Sequence, residues 1–463
     1  MTLTDDVLVR TPPPAEAEQP PARPHWIDDW RPEDRAFWDA SGARIARRNL
    51  IFSIFSEHVG FSIWSMWSVF VLFLGPSYGF DPSQKFLLTT LPAAFGAGLR
   101  IPYTFAVAKF GGRNWTIVSA LLLIVPCALT AAVLHPGVSY GMLLAVAATA
   151  GFGGGNFSSS MANIDAFYPQ RLKGFALGLN AGGGNIGVAA VQLVGLAVLA
   201  LVGKDHPRVI LGVYIPLLIL AALCASLFMD NLTQATNEKR AMRDACREPH
   251  SWIVSLLYIG TFGSFIGFAF AFGQVLQVQF ASTFDTPIKA AYLTFLGPLL
   301  GSLIRPVGGK LADRFGGARV TCWNFVAMLA GAGIVLIASI NHSLALFIAG
   351  FISLFVLSGL GNGSTYKMIP AIFGAKAAIA VSNGSDPETA HRDALRHSRG
   401  LIGIAGAIGA GGGVLVNLAL RQAFLTSKTG NAAYIAFAAF YALCALVTWT
   451  VYLRRSRNRL VGV

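Results

Sequence analysis

The chain has 463 residues, of which 54% are hydrophobic and only 12% charged. With a mean hydropathy of +0.59, that balance excludes a water-soluble globule of this size. The net charge of +13 would suit an anionic partner such as a nucleic acid, but its distribution along the chain speaks against one. Five cysteines (Cys127, Cys224, Cys246, Cys322 and Cys444) have neither paired nor metal-ligand spacing and read as small packing residues.

Residues 1–47 are polar and proline-rich ("TPPPAEAEQPPARP") with no apolar core near the start. They read as a disordered cytoplasmic tail, not a cleaved leader. A helix needs roughly 20 apolar residues to cross a bilayer. Twelve such runs follow, at 48–74, 86–108, 113–134, 140–163, 173–202, 208–229, 251–281, 286–312, 317–339, 344–373, 397–421 and 432–453. The stretch "DNLTQATNEKRAMRDACREPH" (230–250) is the longest charged interruption between runs. It acts as a cytoplasmic linker dividing them into two six-helix halves, 48–229 and 251–453, with 454–463 as the second tail.

With both tails on one side, the tails and the loops after even-numbered runs hold 26 of the 35 lysines and arginines. The loops after odd-numbered runs hold six: Lys85, Lys204, Arg208, Lys289, Arg421 and Lys428. The positive-inside rule then places both termini in the cytoplasm of a multi-pass protein of the cytoplasmic membrane. The basic charge sets topology, and no nucleic-acid partner is needed to explain it.

Three cations remain in the interior of the runs, more than three residues from either end: Arg100, Arg305 and Lys367. Arginine cannot shed its proton, and a charge at mid-bilayer depth costs roughly 2.5–3.5 kcal/mol on the mildest scale. The halves repeat one another. "LRIPYTFAVAKFGGR" (99–113) aligns without gaps to "IRPVGGKLADRFGGA" (304–318), which puts Arg100 on Arg305. "KGFALGLNAGGGNIGV" (173–188) matches "RGLIGIAGAIGAGGGV" (399–414), and "GFGGGNFSSSM" (151–161) loosely matches "GLGNGSTYKM" (359–368). Internal repeats with a site at their interface mark secondary transporters. Two arginines facing each other across a pseudo-twofold axis repel unless an anion lies between them. The competing reading pairs each with a carboxylate, Glu57 and Asp165 being the candidates.

The segment "GGKLADRFGG" (308–317) resembles the loop motif of the major facilitator superfamily, in which Asp313 and Arg314 would brace a cytoplasmic gate. The first half has Ala108 where the second has Asp313, so the brace is incomplete there. "GGGNFSSSMANI" (153–164), "LGLNAGGGNIGV" (177–188), "GNGSTYKM" (361–368) and "GAIGAGGG" (406–413) resemble the glycine-rich motifs of the NarK-like nitrate/nitrite porters of that superfamily. "LRIPYTF" and "SLLYIGTFGSFIGF" (255–268) fit the same family, and the likeness runs from 48 to 453.

The resemblance implies an all-α membrane protein, with twelve transmembrane helices in two pseudo-symmetric six-helix halves. It further implies a monomer without cofactor or metal. Arg100 and Arg305 would clamp one planar anion, Asn185 would donate a hydrogen bond, and Phe157, Tyr258 and Phe262 would supply rings above and below it. Gly182, Gly183, Gly184, Gly409, Gly411 and Gly412 would let their helices approach and slide. Physical chemistry agrees. Nitrate and nitrite are monovalent, nitrate is flat, and a guanidinium offers forked donors to two oxygens. Tyr258 and Phe262, four apart, share a helix face.

A pure nitrate/nitrite exchanger needs no titratable group, whereas a proton symporter needs one that changes charge. Glu57 and His58 in "FSEHVGFSIW" (55–64), with Lys367, are the candidates for proton coupling and tilt the expectation toward symport. The competing reading is a structural Glu57–Lys367 pair with His58 near the cytoplasmic interface. No nucleotide-binding loop or nucleophile–base spacing suggests an enzyme. The alternative is a porter or channel for another small anion, such as formate or phosphate.

Overall fold

The computed structural model describes residues 24–234, 239–454 and 460. Each apolar run becomes one helix, straight or broken. The first six are α1 (Ala43–Ser65 continued by Trp67–Phe73), α2 (Pro82–Phe110), α3 (Gly112–Val133), α4 (Tyr140–Thr149 continued by Phe152–Phe167), α5 (Gln170–Leu201) and α6 (Arg208–Phe228). The last six are α7 (Pro249–Gln279), α8 (Pro287–Phe315), α9 (Gly317–Ile340), α10 (Leu344–Ser382), α11 (Pro387–Ser427) and α12 (Asn431–Leu453). Among the described residues, nine of these are individually long and apolar enough to cross a membrane.

Local chemistry explains the helix ends and breaks. Asp81 and Gln84 form a reciprocal capping box at the start of α2, with Pro82 in the first turn. Asp386 caps α11, and the Thr389 hydroxyl and backbone N–H hold its carboxyl below the usual carboxylate range. In α1, Ser62 and Ser65 donate back to the carbonyls of His58 and Phe61, at 3.0 and 2.8 Å, just before the ladder breaks at Met66. Such back-bonding bends helices. In α7 the stretch Ile259–Gly263 forms a π-turn, a device often found at functional sites.

The sequence repeat reappears in the backbone. Gly111 and Gly316, aligned by the repeat, end α2 and α8 with φ of +87° and +91°, and their N–H groups bond the carbonyls of Val107 and Ala312. Only glycine enters that region without strain. The first six helices meet the last six along α2–α11 and α5–α8 and between the second segment of α1 and α7.

One expectation changes. The disorder expected of the tail does not extend to residues 24–47, which are ordered. Trp26–Ile27 pairs in parallel with Asn231–Leu232 of the linker. Trp30 and Trp38 are buried, and the Trp30 indole N–H donates to the Phe167 carbonyl at 3.2 Å. Glu33 accepts from the Gln170 N–H at 2.7 Å, serving the first turn of α5 where Pro169 has no side-chain cap. Polar composition masked two buried tryptophans, Trp30 and Trp38, whose partners Phe167 and Tyr168 are in place only once α4 and the turn into α5 have formed. Truncating a buried tryptophan costs roughly 3–5 kcal/mol. Trp30→Ala is therefore expected to lower the thermal unfolding midpoint of detergent-solubilised protein clearly, and an unchanged midpoint would show that the segment merely rests on the bundle. A short helix, Lys239–Arg247, continues the linker against α11, where Asp244 pairs with Arg396 at 2.7 Å.

Candidate functional site

Arg100, on α2, is fully buried, and Arg305, on α8, is 4% exposed. Each is followed within two residues by a proline inside its helix, Pro102 and Pro306. Arg100 donates from Nε to the Gly154 carbonyl of α4 at 3.2 Å and from Nη1 to the Gly406 carbonyl of α11 at 2.7 Å. It therefore ties the first six helices to the last six. Arg305 donates from Nη2 to the Tyr258 hydroxyl at 3.1 Å. Arg100 Nη2 and Arg305 Nη1 have no protein acceptor among the described residues.

Aromatic rings connect the two. The Arg100 guanidinium faces Phe157 at 4.4 Å, Phe262 at 4.9 Å and Trp64 at 5.4 Å. Tyr258 stacks on Phe262 with centroids 5.2 Å apart and planes 9° from parallel, and Phe262 stacks on Phe157 at 6.0 Å. Arg305 lies 5.9 Å from the Tyr366 ring. A continuous chain thus runs from Arg305 through Tyr258 and Phe262 to Arg100. Asn185, on α5, is fully buried with both amide atoms lacking a protein partner among the described residues, and it makes no hydrogen bond to either arginine.

Among the described residues the carboxylate pairing does not occur. Asp165 pairs with Lys173 at 3.0 Å. Glu57 accepts from Ser160 and, at 2.7 Å, from Asn180. Nor does Glu57 pair with Lys367, which binds Asp313 at 2.9 Å and is part exposed. His58 is part-buried and donates from Nδ1 to the Gly183 carbonyl at 3.2 Å. Arg314 lies over its neighbour Phe315 at 5.1 Å. Of the three groups considered for proton coupling, only Glu57 is fully buried. Among the described residues no three His, Cys, Asp or Glu side chains gather to hold a metal.

The six glycines divide. A Cβ on Gly183 would meet Ile54 at 2.4 Å, on Gly184 the Glu57 carboxyl at 2.3 Å, on Gly409 the Tyr258 ring at 2.4 Å, and on Gly412 the Gly263 Cα at 2.9 Å. Gly182 and Gly411 have nothing within 4 Å, so close packing does not account for them.

Access is one-sided. Toward the end of the bundle where the linker packs, a cavity of about 430 Å³ is lined by Thr104, Ser158, Asp165, Arg396 and Gly403 and reaches Phe157. Toward the other end the halves are sealed. Thr89 donates to Asn417 at 3.2 Å, Gln274 to the Pro82 carbonyl at 2.6 Å, Gln192 to the Ala269 carbonyl at 3.0 Å, and Trp64 meets Phe270 edge-on.

Sequence reasoning missed Trp64, Tyr366, Ser160 and Asn180. Ser160, Asn180 and Tyr366 lie inside the glycine-rich motifs, which was the available signal. Trp64 closes the "FSEHVGFSIW" stretch and carried none.

The Major Facilitator Superfamily model matches residues 50–383. The chain is 37% identical over 450 residues to the nitrate/nitrite transporter NarU of Salmonella typhimurium, covering 93% of this chain and 96% of that protein. It is 33% identical over 465 residues to the probable nitrate/nitrite antiporter NarK2 of Thermus thermophilus, covering 95% and 99%. Among solved structures, the xylose transporter XylE from E. coli superposes with a TM-score of 0.64 at 13% identity, covering 88% of this chain and 98% of that one. At that identity the likeness concerns the fold.

Proposed function

The chain belongs to the major facilitator superfamily, in its nitrate/nitrite transporter branch, and on that basis we propose that it carries nitrate and nitrite across the cytoplasmic membrane by alternating access. Family members are transporters, not enzymes. The reading rests on one observation above all. Two buried arginines from matching positions of a repeat each keep one guanidinium nitrogen without a protein acceptor among the described residues, where neither pairs with a carboxylate.

A planar monovalent anion suits that arrangement. Two forks offer donors in plane, and the Phe157, Phe262 and Tyr258 faces border the same space. Asn185 would supply a further donor. Phosphate, tetrahedral and more strongly hydrated, fits flat rings less well. With both termini cytoplasmic, the cavity toward Phe157 would open inward and the sealed end would face out, the arrangement of an inward-facing carrier. In switching, Gly409 and Gly412 would slide on α7 while the Asp313–Lys367 pair holds the cytoplasmic ends of α8 and α10 together.

The deciding measurement is nitrate uptake into liposomes carrying the purified chain. Either an inward proton gradient or internal nitrite serves as the sole driving force. Uptake under at least one condition is expected, and it should saturate with nitrate. Flux that never saturates would favour a channel. No flux from folded protein under either condition would overturn the assignment.

A further inference from the structure

Glu57 is a fully buried carboxylate that forms no ion pair among the described residues. Buried ionisable groups at membrane depth are costly and are functional by default. Its surroundings come from several helices. Ser160 of α4 and Asn180 of α5 both donate to Oε2. Oε1 has no donor among the described residues and lies against the backbone of Gly184, where a Cβ would sit 2.3 Å away.

The charged and titratable groups around it are few. Arg100 of α2 and Arg305 of α8 both attract its charge. On its own helix, His58 turns away to the Gly183 carbonyl. Asp165 of α4 and Lys173 of α5 are paired with each other, and α6 carries Arg208, which donates to the Leu134 carbonyl, together with Tyr214 and Cys224. The cluster adjoins the arginine site directly. Ser160 also bonds the Phe157 carbonyl at 3.1 Å, and the Phe157 ring lies on Arg100.

We propose that Glu57 is the proton site of a one-to-one proton–anion symporter, a reading that rests on anion transport by the arginine pair. The reason is the charge of the buried core in the two states that must cross between faces. With a monovalent anion on two guanidiniums and Glu57 protonated, the core has a single net positive charge. With the anion gone and Glu57 ionised, the core has the same single charge. The carboxylate stands in for the missing anion, so the empty carrier returns without a second anion to carry back. In each cycle one O–H bond forms on Glu57 at the loading face and breaks at the releasing face, and the translocated pair is neutral. Proton and anion binding reinforce each other, because the ionised carboxylate competes with the anion for the arginines.

The test uses the full chain. In liposomes, wild type should accumulate nitrate under an inward proton gradient alone, with external alkalinisation of one proton per nitrate. In E57Q, proton-driven net uptake should fall at least about tenfold, and exchange of external nitrate for internal nitrite should fall much less. Wild-type calorimetry in buffers of different ionisation heat should show about one proton taken up on nitrate binding, which keeps the question answerable if E57Q fails to fold. The proposal is overturned if E57Q retains wild-type proton-driven uptake or if nitrate binding takes up no proton. It is equally overturned if wild type exchanges nitrate for nitrite without any net uptake, an outcome that leaves the anion site standing. Absence of both fluxes and of nitrate binding in folded wild type would overturn the anion site itself.

Discussion

Replacing Arg305 by lysine is expected to lower nitrate transport at sub-saturating nitrate about a hundredfold, roughly 2.7 kcal/mol. The charge is kept, so a purely electrostatic site would tolerate the change. The structure gives the reason it should not. Arg305 already commits Nη2 to the Tyr258 hydroxyl at 3.1 Å, leaving Nη1 for a ligand. One ammonium on a flexible stem cannot hold Tyr258 and present a planar donor to the anion at once. Arg100→Lys should do at least as much harm, since Arg100 also bridges the Gly154 and Gly406 carbonyls. Initial uptake rates in liposomes, with nitrate binding measured alongside, decide the matter. Near-wild-type affinity in Arg305→Lys would remove the clamp from the mechanism.

The second large effect is expected at Gly412. A Cβ there would lie 2.9 Å from the Gly263 Cα, and one on Gly263 would lie 2.7 Å from the Gly412 Cα. Backbone meets backbone on both sides, so no side chain can rotate away. Overpacking of this kind costs about 1–3 kcal/mol, and it falls where α7 and α11 must move past each other. Gly412→Ala should therefore cut transport more than about tenfold and lower the thermal midpoint. Gly411→Ala, with nothing within 4 Å, should remain near wild type in both, helped by alanine's better helix propensity of about 1 kcal/mol. Equal impairment in the two variants would show that glycine serves backbone flexibility along α11 instead of close approach.

Much of the architecture is legible in the chain because its causes are local or periodic. Apolar run length sets the number of helices, the placement of lysines and arginines sets the expected orientation, and the ungapped repeat makes Arg100 and Arg305 equivalent positions of the two halves. Gly111 and Gly316 even carry the repeat into matching backbone angles.

What stayed illegible depends on how each helix is rotated against its neighbours. Glu57 and Lys367 read as partners because they are opposite charges in apolar runs. Folding gives Glu57 to Ser160 and Asn180 and gives Lys367 to Asp313. Gly411 and Gly412 are adjacent in one motif, yet only one touches α7, since neighbouring residues on a helix point about 100° apart. Trp26, Trp30 and Trp38 sit in a polar, proline-rich stretch whose composition suggests no structure, and they are held by surfaces that α4, α5 and the linker make together. Burial and pairing are properties of several segments at once, so hydropathy along one segment could place the charges in the membrane but could not choose their partners.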